Sequence, residues 1–377
     1  MKHPFLSLKV SNAPYEDELK RAAERVISSG RYLLGKETEA LESEVAAYLG
    51  APYAIAVSNG LDAIRLIFRE YMEDGRLQPG DEVIFPANTY IASVLPITEL
   101  GLTAIPAPAD PATLNLDLGR IDEYLTPRTK AVLVVHLYGT PCWDAKILTR
   151  LHDRGILIIE DNAQAFGAIS PETGLYGSDY CGALGDAAAI SFYPTKNLGA
   201  LGDAGMVVTH DENLAKTVRA LANYGSDYRY HNIYRGYNNR IDELQAAFLR
   251  VKLPHIDAES EKREDVARAY RENISHPAIT LPATIPAGRQ VWHQFVITTP
   301  HRDRLKEWLE SHGVATDIHY QTPPHRQPCY ADTFSGSALS ETDLLAQSLL
   351  SLPIANITTE DAVEIAGIIN RFPEISN

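Results

Sequence analysis

Seven short apolar runs, each set off from the next by a polar or amphipathic stretch, constrain this chain more than any other feature. They are Ala54–Val57, Glu82–Phe85, Thr103–Pro106, Ala131–Leu137, Ile156–Glu160, Ala187–Phe192 and Met206–Thr209. Apolar runs alternating with amphipathic stretches predict a mostly parallel, seven-stranded sheet covered by helices on both faces. Helical periodicity marks Glu16 to Ser29 and Glu37 to Leu49 ahead of the strands, and a long helix over Asn238 to Pro254 after them. We place a domain change near Leu253-Pro254, with a large domain over 1–253, including the N-terminal helices, and a small C-terminal domain over 254–377. The latter carries an alternating strand, Val291–Val296, and two helices, Arg302–His312 and Asp343–Leu350. A chain of 377 residues is long enough for two such domains.

Ligands of open α/β sheets bind beyond the carboxyl ends of the strands. Two charged groups fall at such ends. Lys196 follows the run Ala187–Phe192, and Asp161 closes the run that begins at Ile156. An ammonium at the end of a buried strand loses hydration, which lowers its pKa and frees the amine as a nucleophile. Ser191 lies five residues before Lys196, so a hydroxyl for a phosphate and an amine for an aldehyde share one short connection. A Schiff-base lysine with a separate carboxylate for a pyridinium nitrogen is what pyridoxal 5′-phosphate (PLP) asks of a protein. The turn Ser58-Asn59-Gly60-Leu61-Asp62-Ala63 leads from strand to helix, where exposed N–H groups bind anions.

The segments SFYPTKNLGALGDAGMVVT, IIEDNAQAFGA and GYNNRIDELQAAFL resemble the DegT/StrS-type nucleotide-sugar aminotransferases, and the resemblance runs from about Pro4 to Arg371. It implies the fold-type-I, aspartate aminotransferase-like architecture, a homodimer with composite active sites, and PLP as cofactor. Lys196 is then the Schiff-base lysine and proton shuttle, and Asp161 the partner of the pyridine nitrogen. Gln164 lies near the ring's 3-hydroxyl, with a polar residue at a helix start as the alternative. Tyr90 stacks on the ring. Gly60, Leu61 and Asp62 act mainly through backbone groups, because the family often has Thr where Leu61 stands. Tyr193 either assists proton transfer or packs. Asn238 reaches the phosphate of the neighbouring subunit, and it also suits an N-cap for a helix beginning near Ile241, two roles that are compatible.

The same resemblance bears on the substrate. The segment Ile318 to His325, with His319, Tyr320 and His325, is similar to a sugar-pocket segment of aminotransferases acting at C-3 of dTDP-3-keto-6-deoxyhexoses. Asn223 to His231, with Tyr224 and Arg229, is similar to their loop near the nucleotide. Arg229, Arg235 or Arg240 suits a diphosphate. Phe166 departs from the family, which often carries histidine there. The expected reaction moves the amino group of L-glutamate to C-3 of a dTDP-3-keto-6-deoxyhexose, giving 2-oxoglutarate and a dTDP-3-amino-3,6-dideoxyhexose. Amino transfer at C-4 and PLP binding without turnover in a regulatory protein are the alternatives. The related PLP dehydratases have histidine at the lysine position, and here it is Lys196.

Composition narrows the partners. A formal net charge of −15 speaks against nucleic acid, since phosphate backbones need a basic surface. Cys142, Cys181 and Cys329 are too few and scattered for a disulfide framework or a zinc cluster, so no metal is expected. The segment MKHPFLSLKVSNAP lacks the apolar core of a signal peptide, and no apolar run approaches the length of a membrane span. A cytoplasmic protein with reduced thiols is the expectation.

Overall fold

The computed structural model describes residues 1–334 and 339–373. Seven strands, β1 (Tyr53–Val57), β2 (Glu82–Pro86), β3 (Thr103–Ala107), β4 (Thr129–Val135), β5 (Leu157–Asp161), β6 (Ala187–Ser191) and β7 (Gly205–Thr209), form one sheet in the order β1-β7-β6-β5-β4-β2-β3. Only β7 runs antiparallel to its neighbours. This is the fold-type-I arrangement. The carboxyl ends of β1, β2, β4, β5 and β6 therefore share one rim, and β7 starts there.

Alternate side chains of each strand point to opposite layers. Ile55, Val57, Val83, Phe85, Leu133, Ile159 and Val207 pack on helix α2 (Gly60–Glu73), through Ile64, Ile67 and Phe68, and on Glu212–Ala222 through Leu214 and Val218. On the other side Ala54, Ala56, Ala188, Ile190, Met206 and Val208 meet Leu41, Val45 and Leu49 of an earlier helix, α1 (Lys36–Leu49). Ile84, Val132, Val134 and Ile158 meet Leu148 and Leu151 of Ala145–His152. Each fully buried Val, Leu, Ile, Met or Phe among them contributes roughly 1.5–3 kcal/mol. A further cluster gathers Val266, Tyr270, Trp292, Phe295, Leu305, Leu309 and residues as far as Phe372 around the two-stranded pair Phe295–Thr298 and Leu349–Leu352. At the other terminus, His3 pairs with Val314 along this unit.

Three segments differ from the sequence expectation. The helix after Asn238 begins only at Glu243 and ends at Lys252. Residues 238–240 instead run extended: Asn238 pairs with Asn223, Arg240 pairs with Val57, and Ser58 N–H donates to Asn239 O. Asn238 is therefore not an N-cap. Glu243, at the true helix start, has a distant task. Its carboxylate accepts N–H groups of Gly35, Glu37 and Thr38 at 2.8, 2.9 and 3.0 Å. It thus caps α1 with a negative charge, where Gly35 has no side chain to do so.

The second difference is at Val291–Val296. Trp292 adopts a positive φ of 43°, and Val291 N–H donates to Gly139 O. The chain kinks across the Tyr138-Gly139 turn, so the strand starts at Phe295. Gly139, at φ 89°, permits this close crossing; a Cβ there would lie 2.7 Å from His293 N. The third difference is at Asp343–Leu350: the helix spans Ser340–Ser348, and Leu349 and Leu350 belong to the strand that pairs with Phe295–Thr298.

Candidate active site

The rim of the sheet is assembled from the ends of β1, β2, β5 and β6. Val57 and Ser191 both pair with Gly205, one on each side of β7. The chain leaving β1 crosses directly above Gly205, where a Cβ would lie 2.3 Å from Asn59 C. It then reaches Ser191, whose Cβ lies 2.7 Å from where a Cβ of Gly60 would stand. Two glycines thus let a helix start touch a strand end. Asn59 caps α2 by accepting from Asp62 N–H at 2.8 Å, and Ala63 N–H donates to Asn59 O. This cap does not use the N–H groups of Gly60 and Leu61. Asp62, expected as a backbone donor, has spent its N–H on the cap; its carboxylate accepts from Ser58 Oγ at 2.5 Å and pairs with Arg65.

Lys196 sits on the turn after β6, its N–H donating to Tyr193 O at 2.8 Å. Burial lowers its pKa to about 8, against an opposing pull from the Asp161 carboxylate. A second lysine converges on the same turn: Lys252 donates its Nζ to Gly199 O at 2.5 Å, and burial alone lowers it to about 8 as well. A lowered pKa therefore does not single out Lys196. The neighbouring groups do, because Lys196 feels Asp161 and itself depresses the imidazoles of His293 and His319, whose pKa values burial chiefly pushes down.

Asp161 is buried at the end of β5. Ser93 Oγ donates to its Oδ2 at 2.7 Å, and Ala163 N–H donates to its Oδ1 at 3.1 Å. Gln164 uses both ends of its amide, accepting from Tyr138 N–H at 2.6 Å and donating to Tyr320 Oη at 2.8 Å. Tyr320 faces Tyr90 with ring centroids 5.1 Å apart, and burial beside Asp161 raises its phenol pKa. His319 accepts Tyr138 Oη on its carbonyl and lies 2.8 Å from Ser351 Oγ through Nδ1. Tyr193 is half exposed at the mouth of this group. Asn197 fixes His293: Asn197 Nδ2 donates to Val291 O, so its Oδ1 is the acceptor for Nδ1–H of His293 at 3.1 Å. The Nε2 lone pair of His293 is then left free of a proton.

The remaining expected residues lie apart from this group by their contacts. Arg240 donates to Asn223 Oδ1 and Asn238 Oδ1 and stacks over the Tyr224 ring at 5.0 Å, so Tyr224, Asn238 and Arg240 form one polar cluster. Arg229 covers Tyr230 on the exposed hairpin Ser226–Asn232. His325 is buried against Asp343, 2.9 Å from Nε2, with Arg326 on the same carboxylate. Phe166 fills an aromatic cluster with Tyr48 at 5.4 Å and Phe192 at 5.8 Å, so here the position packs.

Ser93, Thr89, His293 and Gly205 were given no role of their own by the sequence reading. Thr89 and Ser93 flank Tyr90 at a spacing of four, a signal within reach. His293 and Gly205 join the site only through tertiary crossing and strand register.

This donor set suits PLP. An amine of lowered pKa, a buried carboxylate, an aromatic face and a helix start packed on a serine share one rim, and the contact between Gly60 and Ser191 is too close to admit a Cβ. No helix among the described residues is long and apolar enough to cross a membrane.

Residues 14–370 match the family described as DegT/DnrJ/EryC1/StrS aminotransferases. The chain is 42% identical over 370 residues to the dTDP-3-amino-3,6-dideoxy-alpha-D-galactopyranose transaminase of Aneurinibacillus thermoaerophilus, covering 98% of this chain and 99% of the relative. It is 40% identical over 375 residues to the dTDP-3-amino-3,4,6-trideoxy-alpha-D-glucose transaminase of Streptomyces venezuelae, covering 98% and 96%. Among solved structures, DesV of S. venezuelae in complex with a ketimine intermediate superposes with a TM-score of 0.93 at 40% identity, over the full length of both chains.

Proposed function

The chain belongs to the DegT/DnrJ/EryC1/StrS aminotransferase family, and from that premise we propose that it transfers the amino group of L-glutamate to C-3 of a dTDP-linked 3-keto-6-deoxyhexose. The observation that carries the reading is the convergence of Lys196, Asp161 and the Gly60–Ser191 cradle on one rim of the sheet. The sugars in the names of both relatives carry the amino group at C-3 and differ at C-4, which favours C-3 over C-4 as the position aminated.

PLP supplies the carbonyl that carries nitrogen and the ring that accepts electrons. The protein supplies the rest. The Lys196 amine, neutral in a large fraction near pH 8, takes a proton from Cα of the amino donor and returns one at C-3 of the sugar. Asp161 would hold the proton on the pyridine nitrogen. The N–H groups of Gly60 and Leu61 with the Ser191 hydroxyl would bind the phosphate, and Tyr90 would cover the ring face. Tyr320 and His319 line the sugar side, with Gln164 holding the Tyr320 hydroxyl. Tyr193, Tyr224, Arg229, Arg240 and His325 remain proposed substrate or mouth residues; for His325, the Asp343 contact means it would act by shaping the loop.

We further propose a homodimer in which Asn238 serves the neighbour's phosphate, with 1–253 as the cofactor-binding unit and 254–377 as the smaller one. Mixing inactive Lys196→Ala with an inactive Asn238 variant should restore activity under subunit exchange; no recovery despite exchange would sink this arrangement. The reaction itself is tested with ¹⁵N-labelled L-glutamate and, in parallel, dTDP-3-keto-6-deoxyhexoses of both galacto and gluco configuration and a dTDP-4-keto-6-deoxyhexose. Label at C-3 is expected. Label at C-4, or no transfer to any keto-sugar nucleotide, would overturn the proposal.

A further inference from the structure

The turn after β2 does two things at once. Thr89 N–H donates to Pro86 O and Ser93 N–H donates to Tyr90 O, which winds the residues 89–93 into a tight turn. Tyr90 is left 52% exposed at the cleft, while Thr89 and Ser93 are each 1% exposed. Their hydroxyls point the other way, to the end of β5. Ser93 Oγ lies 2.7 Å from Asp161 Oδ2, and Thr89 Oγ1 lies 2.9 Å from Ser93 Oγ.

The direction of this chain follows from proton counting. An ionised carboxylate only accepts, so the single Ser93 hydroxyl proton goes to Asp161. Ser93 Oγ must then accept, and Thr89 is the donor. The result is a polarised relay, Thr89 to Ser93 to Asp161, in which each bond strengthens the next. The Asp161 main chain is already fixed by strand pairing, and His136 N–H donates to its carbonyl. Only the side-chain torsions remain free. Ala163 N–H on Oδ1 and Ser93 on Oδ2 place one bond on each oxygen, which fixes the plane of the carboxylate.

We propose that Ser93, held by Thr89, is a positioning residue that fixes the Asp161 carboxylate against the pyridine nitrogen of the cofactor. The inference rests on the role given to Asp161 above. It also implies that the ring-covering residue Tyr90 and the anchor of the ring-nitrogen partner move as one body, being five residues of one turn.

The test loads the protein with PLP labelled with ¹⁵N in the pyridine ring and records the nitrogen resonance. Wild type should give a pyridinium-like shift. Ser93→Ala should retain PLP, move that shift toward neutral pyridine, and lower kcat about tenfold, the size of one lost hydrogen bond to a charged group, with KM for the sugar little changed. Ser93→Thr should restore both readouts. Thr89→Val, which keeps the shape, should move both in the same direction by less, and it carries the test if Ser93→Ala does not fold. A wild-type-like resonance and kcat in Ser93→Ala and Thr89→Val would reduce Ser93 to packing and overturn the inference alone. A neutral pyridine in wild type would overturn the Asp161 assignment itself.

Discussion

Replacing Gly60 with alanine separates the cradle account from general helix physics. Gly60 is the first residue of α2, and at an open helix position alanine would stabilise by roughly 0.5–1 kcal/mol. Here the added Cβ would stand 2.7 Å from Ser191 Cβ, 3.2 Å from its Cα and 3.3 Å from its Oγ. Carbon atoms rest at about 3.5–4.0 Å, so the nearest pair is short by about 0.8 Å. Two of the three obstructing atoms belong to positions that no rotamer change moves. The helix start must retreat from β6, at a cost of about 1–3 kcal/mol for overpacking. An N–H shifted by about 0.8 Å from its best distance no longer makes a hydrogen bond, and each bond to a charged group is worth about 1.5–3 kcal/mol. We expect PLP affinity to fall about 10- to 100-fold, measured by titrating the apo-protein with PLP and following absorbance. Ser191→Gly removes the obstructing Cβ, so the double variant should bind better than the sum of the two single losses implies. A Gly60→Ala protein that binds PLP within about twofold of wild type, or additive losses in the cycle, would refute the reasoning.

Asp161→Asn should keep PLP yet transaminate about 10²-fold more slowly or worse, because an amide does not hold the ring nitrogen protonated; wild-type rates in stopped-flow with L-glutamate would place that task elsewhere. Lys196→Met should raise the melting temperature of the apo-protein at pH 7. Burial lowers the folded pKa of Lys196 from 10.5 to about 8, so the unfolded chain binds the extra proton between those values and stability rises with pH across that window. Below pH 8 the lysine is charged in both states, and its full desolvation penalty weighs on the folded one. The gain from methionine should therefore be largest below pH 8 and fade toward pH 10.5, and a pH-independent difference in thermal denaturation would contradict this.

Much of the large sheet was legible because strands buried on both faces are written as continuous apolar runs. Tyr53–Val57, Glu82–Pro86 and Thr103–Ala107 fall within a residue of their sequence bounds, as does the helix Glu16–Ser29. Segments misread were those whose partners lie far along the chain. Nothing local announces that residues 238–240 lie beside Val57 and Asn223, or that Trp292 kinks over Gly139. Of the candidate site, the sequence shows what sits at a strand end, as Lys196 and Asp161 do. It was opaque where strand register does the work: Gly205 matters because Val57 and Ser191 flank it, a fact of pairing and not of composition. His325 illustrates the converse, a residue near the right segment whose imidazole is taken by Asp343.

Lys196 is the amine proposed to carry the cofactor, and Lys252 is its natural rival, reaching the same turn from the end of the helix Glu243–Lys252 with the same lowered pKa. Reduction of the holo-protein with borohydride, followed by peptide mapping, decides between them. The pyridoxyl group is expected on the peptide containing Lys196. Its recovery on Lys252, or on any other lysine, would take the cofactor's amine away from Lys196.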